Sequence, residues 1–197
     1  MVFYALKRGL DGIVICDHNT IEGGYRIAEW VDNNDIELLV IPGVEVSTSR
    51  GHLIVLLPQR DFKIGEHPEE VIKTAHKDGS IVIAPHPFHR FRHGIGKIKG
   101  VDAIEVINSK YILSYSNKLA EIYAHSENIP EVGGSDSHIP STVGIAYTEV
   151  YTAGGMDDVI EAVCDGKTKA FGERAPFQTI ATQFSWSIKR RVKKIMR

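Results

Sequence analysis

Cysteine is scarce: Cys16 and Cys164 are the only two in 197 residues. They are too few and too far apart for a disulfide framework, so two free thiols in a reducing cytoplasm are expected. No apolar run reaches the roughly 18 residues needed to cross a bilayer. The longest, residues 36–46, carries Glu37, Glu45 and a Pro-Gly break. Residues 1–10 are amphipathic and lack a cleavage site, so no signal peptide is expected. Charge of one sign is not in surplus either. A formal net charge of -2 with 24% charged residues gives the whole chain no bias toward nucleic acid. Gly94-Ile95-Gly96 falls short of a glycine-rich nucleotide loop. Linkers, low-complexity segments and internal repeats are also missing.

What is present is enough apolar residue, 43%, for one domain with a sizeable core. The chain alternates. Short apolar runs at 12–16, 38–46, 52–57, 80–84, 103–107, 131–134 and 169–171 read as strands. Helical patterns fill 1–8, 21–34, 68–78, 116–128 and 156–165, and Gly9 and Gly79 stop two of them. Alternation of this kind predicts an α/β fold with a mainly parallel sheet and helices outside it. About six or seven strand–helix units favour a barrel over an open sheet.

The ends of the strands concentrate polar chemistry. The first leads into Asp17-His18-Asn19-Thr20, and the second ends at Gly43-Val44-Glu45. The third begins at Gly51-His52, the fourth runs into Pro85-His86-Pro87, and residues 131–134 lead to Ser135-Asp136-Ser137-His138. In an α/β barrel such ends open on one face. His52 joins them only if the chain doubles back antiparallel through the tight turn at 48–51. One histidine at a strand end is more often structural than ligating. A whole set of imidazoles and carboxylates on one face needs a common counter-charge, because a lone buried carboxylate is costly. A divalent cation supplies it, and mixed His and carboxylate donors suit zinc, manganese or iron rather than calcium. Glu45 is the natural bridge between two ions, and two ions would clamp a phosphate.

DHNT after an apolar strand, then PGVEVS, GHLIVLL, APHP and GGSDSH in that order, resemble the PHP family (polymerase and histidinol phosphatase) over roughly residues 1–175. The resemblance implies a distorted (β/α)7-type barrel, up to three divalent metals and phosphoester hydrolysis. Motif by motif, it implies His18, Glu45, His52, His86, Asp136 and His138 as metal ligands. Glu45, His52 and His86 make one complete set. Asp17 either orients a ligand or caps the helix that follows. The family's opening strand with His-x-His has no counterpart here, so a first βα-unit is expected to be missing. That leaves the sites of Asp136, His138 and His18 incomplete.

For the substrate, Arg90 and Arg92 in Phe88-His89-Arg90-Phe91-Arg92-His93 are placed to meet a phosphate. His89 or His93 can protonate a leaving group. A basic surface loop is the plainer alternative. Lys110, beyond the strand at 103–107, is a further phosphate-binding candidate. The expected catalytic set is Glu45, Asp136, His89 and Arg90. Residues 176–197 form a basic tail, and six of its cations lie in 187–197. It is either a solvated helix end or a contact for RNA, a membrane surface or an acidic partner. The reading is a cytoplasmic, metal-dependent phosphoesterase acting on a small phosphomonoester, a nucleotide or an oligonucleotide end. A non-catalytic scaffold of the same fold is the rival.

Overall fold

The computed structural model describes residues 1–89, 93–110 and 115–173. The elements run α1 (Val2–Lys7), β1 (Gly12–His18), α2 (Glu22–Asn33), β2 (Leu39–Ser47), β3 (His52–Leu56), α3 (Pro68–Lys77) and β4 (Ile81–Ala84). They continue with β5 (Ala103–Asn108), α4 (Tyr115–Glu127), β6 (Glu131–Gly134), β7 (Ala146–Val150), α5 (Met156–Cys164) and β8 (Thr168–Gly172). No helix among the described residues is long and apolar enough to cross a membrane. The expected basic tail lies outside the described residues.

Strands β1 to β6 form one sheet in sequence order, curled into half a barrel. β1/β2, β4/β5 and β5/β6 pair parallel, whereas β2/β3 and β3/β4 pair antiparallel. The sheet is therefore less parallel than the apolar runs predict. The physical reason is the short connection at 48–51, which has no room for a crossover and forces a hairpin. The Thr48 amide donates to the Gly51 carbonyl at 2.9 Å and closes it. Among the described residues β7 and β8 form a separate antiparallel pair. That pair is stitched to β6 through Thr148 Oγ1, which bonds both the amide and the carbonyl of Gly133 at 2.9 Å.

The main core packs Val44, Val46, Leu53, Val55, Val82 and Ile104 of the sheet against Val71 of α3, all fully buried. A second cluster sets Val2 and Ala5 of α1 and Val31 of α2 against Val40 of β2. Helix α2 comes close to the sheet because Gly24 has no Cβ. A Cβ there would lie 2.8 Å from the Ile15 carbonyl oxygen and 3.0 Å from the Pro42 Cα. The pairing pattern brings the ends of β1, β2, β4, β5 and β6, and the start of the reversed β3, to one rim.

Candidate metal centre

Register builds the centre of the rim. His18 of β1 lies opposite Glu45 of β2, and Ser47 lies opposite His52 of β3. Asn19, at φ 58°, turns the chain after β1 and ties it to β2. Its amide donates to the Glu45 carbonyl at 3.0 Å, and its Oδ1 accepts the Ser47 amide at 2.7 Å. Asp17 packs onto the first turn of α2, where a Cβ on Gly23 would fall on its carboxylate. The entrance to α2 is capped instead by Asp61 Oδ1, which accepts the Ile21 amide at 3.0 Å.

Gly51 lets residues 93–95 press on the start of β3. A Cβ there would lie 2.6 Å from the His93 carbonyl oxygen. The His52 amide donates to that same carbonyl at 2.9 Å, and the His93 ring stacks on His52 with centroids 5.1 Å apart. His86 takes φ 34°, a left-handed conformation that non-glycine residues adopt at a cost. Its amide is held by Glu105 Oε2 at 2.7 Å.

Glu45 is buried among imidazoles. Its Oε1 lies 2.6 Å from His52 Nδ1 and 3.3 Å from His86 Nε2, and its Oε2 lies 3.6 Å from His18 Nδ1. Burial alone would raise its pKa. Hydrogen bonds from His52 and His86 and the charges of His18 and His52 reverse this and hold it well below the usual carboxylate range. Burial also pushes His86 down, but Glu45, Glu105 and Asp136 win and raise it.

The Asp136 side is organised by a lysine. Lys110 Nζ lies 2.5 Å from Asp136 Oδ1 and 2.6 Å from His138 Nδ1. Its side chain is 2% exposed. Asp136, like His86, is left-handed, at φ 44°. Burial and the Lys110 charge lower the pKa of His138 against the pull of Asp136. Lys110, expected to reach a substrate phosphate, is thus turned inward onto two expected metal ligands.

Glu105 is the functional residue that sequence reasoning passed over. It accepts the His86 amide and, at 2.9 Å, the Asn108 side-chain amide. Burial pushes its carboxyl up to about 7 against the lowering pull of His86 and Asn108. The signal was a lone acid inside the apolar run AIEVI. Gly134 makes room for it, since a Cβ there would lie 2.5 Å from Glu105 Oε1.

The ligand atoms of His18, Glu45 and His52 all lie within 4.8 Å of one another, the one such set among the described residues. The expected complete set was Glu45, His52 and His86. His86 does reach Glu45, but His18 joins the compact group, because the β1/β2 register puts it directly opposite. One carboxylate and two imidazoles converging on a partly open point fit a divalent transition metal. His89 lines a recess of about 410 Å³ with Pro87, Phe88, Tyr115 and Leu119. Arg90 and Arg92 lie outside the described residues.

Comparison with known proteins agrees with this layout. Residues 114–168 match the family described as PHP-associated. An uncharacterized protein of Methanocaldococcus jannaschii, MJ1587, is 31% identical over 119 residues, covering 59% of this chain and 68% of that one. Among solved structures, a two-domain protein from Bacteroides vulgatus containing a predicted PHP-like metal-dependent phosphoesterase superposes with a TM-score of 0.72 at 18% identity. The match covers 87% of this chain, and the chain spans 59% of that protein's length. PsfC from Pseudomonas syringae gives 0.68, also at 18% identity, over 98% of this chain and 88% of its own. These two share the fold. The PHP-associated match, with the ordered rim motifs, places the chain in the PHP family.

Proposed function

We propose that this chain is a metal-dependent phosphoesterase that cleaves a small phosphomonoester, a nucleotide or an oligonucleotide end at the rim of its half-barrel. The observation that carries the reading is the compact His18–Glu45–His52 donor set around a carboxylate held ionised. A divalent zinc, manganese or iron ion bound there would polarise a phosphoryl oxygen and acidify a water. The chain's own groups do the rest. Glu45 aligns three imidazoles through its two oxygens. Lys110 holds Asp136 and His138 beside that centre. His93, stacked on His52, or His89, in the wall of the recess, would hand a proton to the leaving oxygen. The recess accepts the organic part of the substrate. The Bacteroides neighbour's description as a predicted metal-dependent phosphoesterase supports the same class.

The test is hydrolysis of p-nitrophenyl phosphate, its diester and a short oligonucleotide, after chelation and after adding back Mn²⁺ or Zn²⁺. Activity is expected only with metal. Glu45→Gln is expected to cost about a hundredfold or more, as misplacing a catalytic centre does. Undiminished turnover in chelator, or in the Glu45→Gln protein, would contradict the reading.

A further inference from the structure

We propose that Lys110 is a built-in cation that takes the charge position on the Asp136–His138 side of the rim, so that this chain holds its metal at His18–Glu45–His52 and not between Asp136 and His138. The inference rests on the metal-centre reading above and adds the number of ions to it.

The placement of Lys110 is constructed, not incidental. Its amide donates to Asn108 Oδ1 at 2.9 Å. The side-chain amide of Asn108 is in turn held by Glu105 at 2.9 Å, and the Asn108 main-chain amide donates to Asn117 Oδ1 at 3.2 Å. Ser109 straps the same turn to the loop after β6. Its amide donates to the Gly134 carbonyl at 3.3 Å and its hydroxyl to the Ser135 carbonyl at 2.9 Å. Lys110 and Asp136 are therefore fixed with respect to each other by groups from β5, α4 and β6.

The chemistry follows from the lysine's three donors and lack of any acceptor. Donation to His138 Nδ1 at 2.6 Å requires a lone pair on that nitrogen, so the neutral ring carries its proton on Nε2. The Asp136 carbonyl lies farther from the same Nδ1, at 3.1 Å, and loses that competition. A ring in this state has no lone pair left on Nε2 for a metal. Asp136 Oδ1 is likewise committed to the ammonium at 2.5 Å. A divalent ion bound by these two residues would face a buried ammonium at contact range, and like charges in a desolvated pocket exclude one another. The Nε2–H of His138 is then a hydrogen-bond donor beside His18, whose ring centroid is 6.0 Å away.

Metal counting tests this. Wild-type protein and the Lys110→Met variant, which keeps the stem and removes the charge, are stripped with chelator, loaded with Mn²⁺, dialysed and analysed by elemental mass spectrometry. One equivalent is expected on wild type and two on Lys110→Met, with Asp136→Asn returning the double variant to one. Two or more equivalents on wild type, or an unchanged single equivalent on Lys110→Met, would overturn the role of Lys110. No metal on either protein would remove the metal-centre reading and this inference with it. If Lys110→Met does not fold, nitrogen NMR of His138 in metal-loaded wild type decides. An Nε2–H tautomer with an accepting Nδ1 supports the proposal, and a metal-coordinated ring nitrogen overturns it.

Discussion

A carboxylate in the middle of an apolar strand is expensive unless it is hydrogen-bonded or protonated. Glu105 meets the cost both ways, accepting from His86 and Asn108 while its carboxyl is pushed up to about 7. A carboxyl whose pKa is raised on folding stabilises below its ordinary value near 4.5 and loses that contribution as pH climbs toward about 7. Urea unfolding of metal-free protein is therefore expected to show stability falling between about pH 4.5 and 7. Glu105→Gln should flatten that fall, and an unchanged slope would show that Glu105 does not carry it. At this scale much of the site was legible. His18, Glu45, His52, His86, Asp136 and His138 are chemistry-bearing residues at strand ends, a pattern visible in one dimension. The partners were not legible. That Lys110 turns inward, or that Glu105 grips the His86 amide, depends on contacts between β4, β5 and the β6 loop, distant in sequence.

At the scale of elements, the reversal at β3 decides whether His52 belongs to the site. The short 48–51 connection made that reversal readable, and the hairpin forms with Ser47 opposite His52. β7 escaped notice because its residues, Ala-Tyr-Thr-Glu-Val, mix polar and apolar, with only Ala146 buried. A strand lying on β6 as part of a two-stranded pair needs no strong apolar signature. The second reason β3 is well placed is Gly51, whose missing Cβ admits the 93–95 segment. Gly51→Ala is expected to push that segment outward and lengthen the bond from the His52 amide to the His93 carbonyl. A loss of about 1–3 kcal/mol in stability should follow, the usual cost of overpacking. Metal affinity should fall with it. Denaturant unfolding and a metal titration check the two effects, and wild-type values for both would refute the account of this turn.

Across the whole molecule, the half-barrel works as a frame that delivers six strand termini to one rim. An α/β fold was expected from alternation, and it is present. A mainly parallel sheet was also expected, and among the described residues the pairings flanking β3 and the β7/β8 pair depart from it. Periodicity reports burial rather than strand direction, so the departure at β3 had to come from loop length. The net charge of -2 gives the chain as a whole no strong electrostatic bias toward nucleic acid. At the rim, one carboxylate is held ionised by three imidazoles and one lysine is held by Asp136 and His138, and in the proposed arrangement the positive charge is divided between an exchangeable ion and that lysine. The most direct measurement of this arrangement is anomalous X-ray scattering from crystals equilibrated with Mn²⁺ or Zn²⁺. The account predicts a single strong peak in contact with Glu45, His18 and His52. A peak bound by Asp136 and His138 in place of Lys110, or no peak at Glu45, would contradict it.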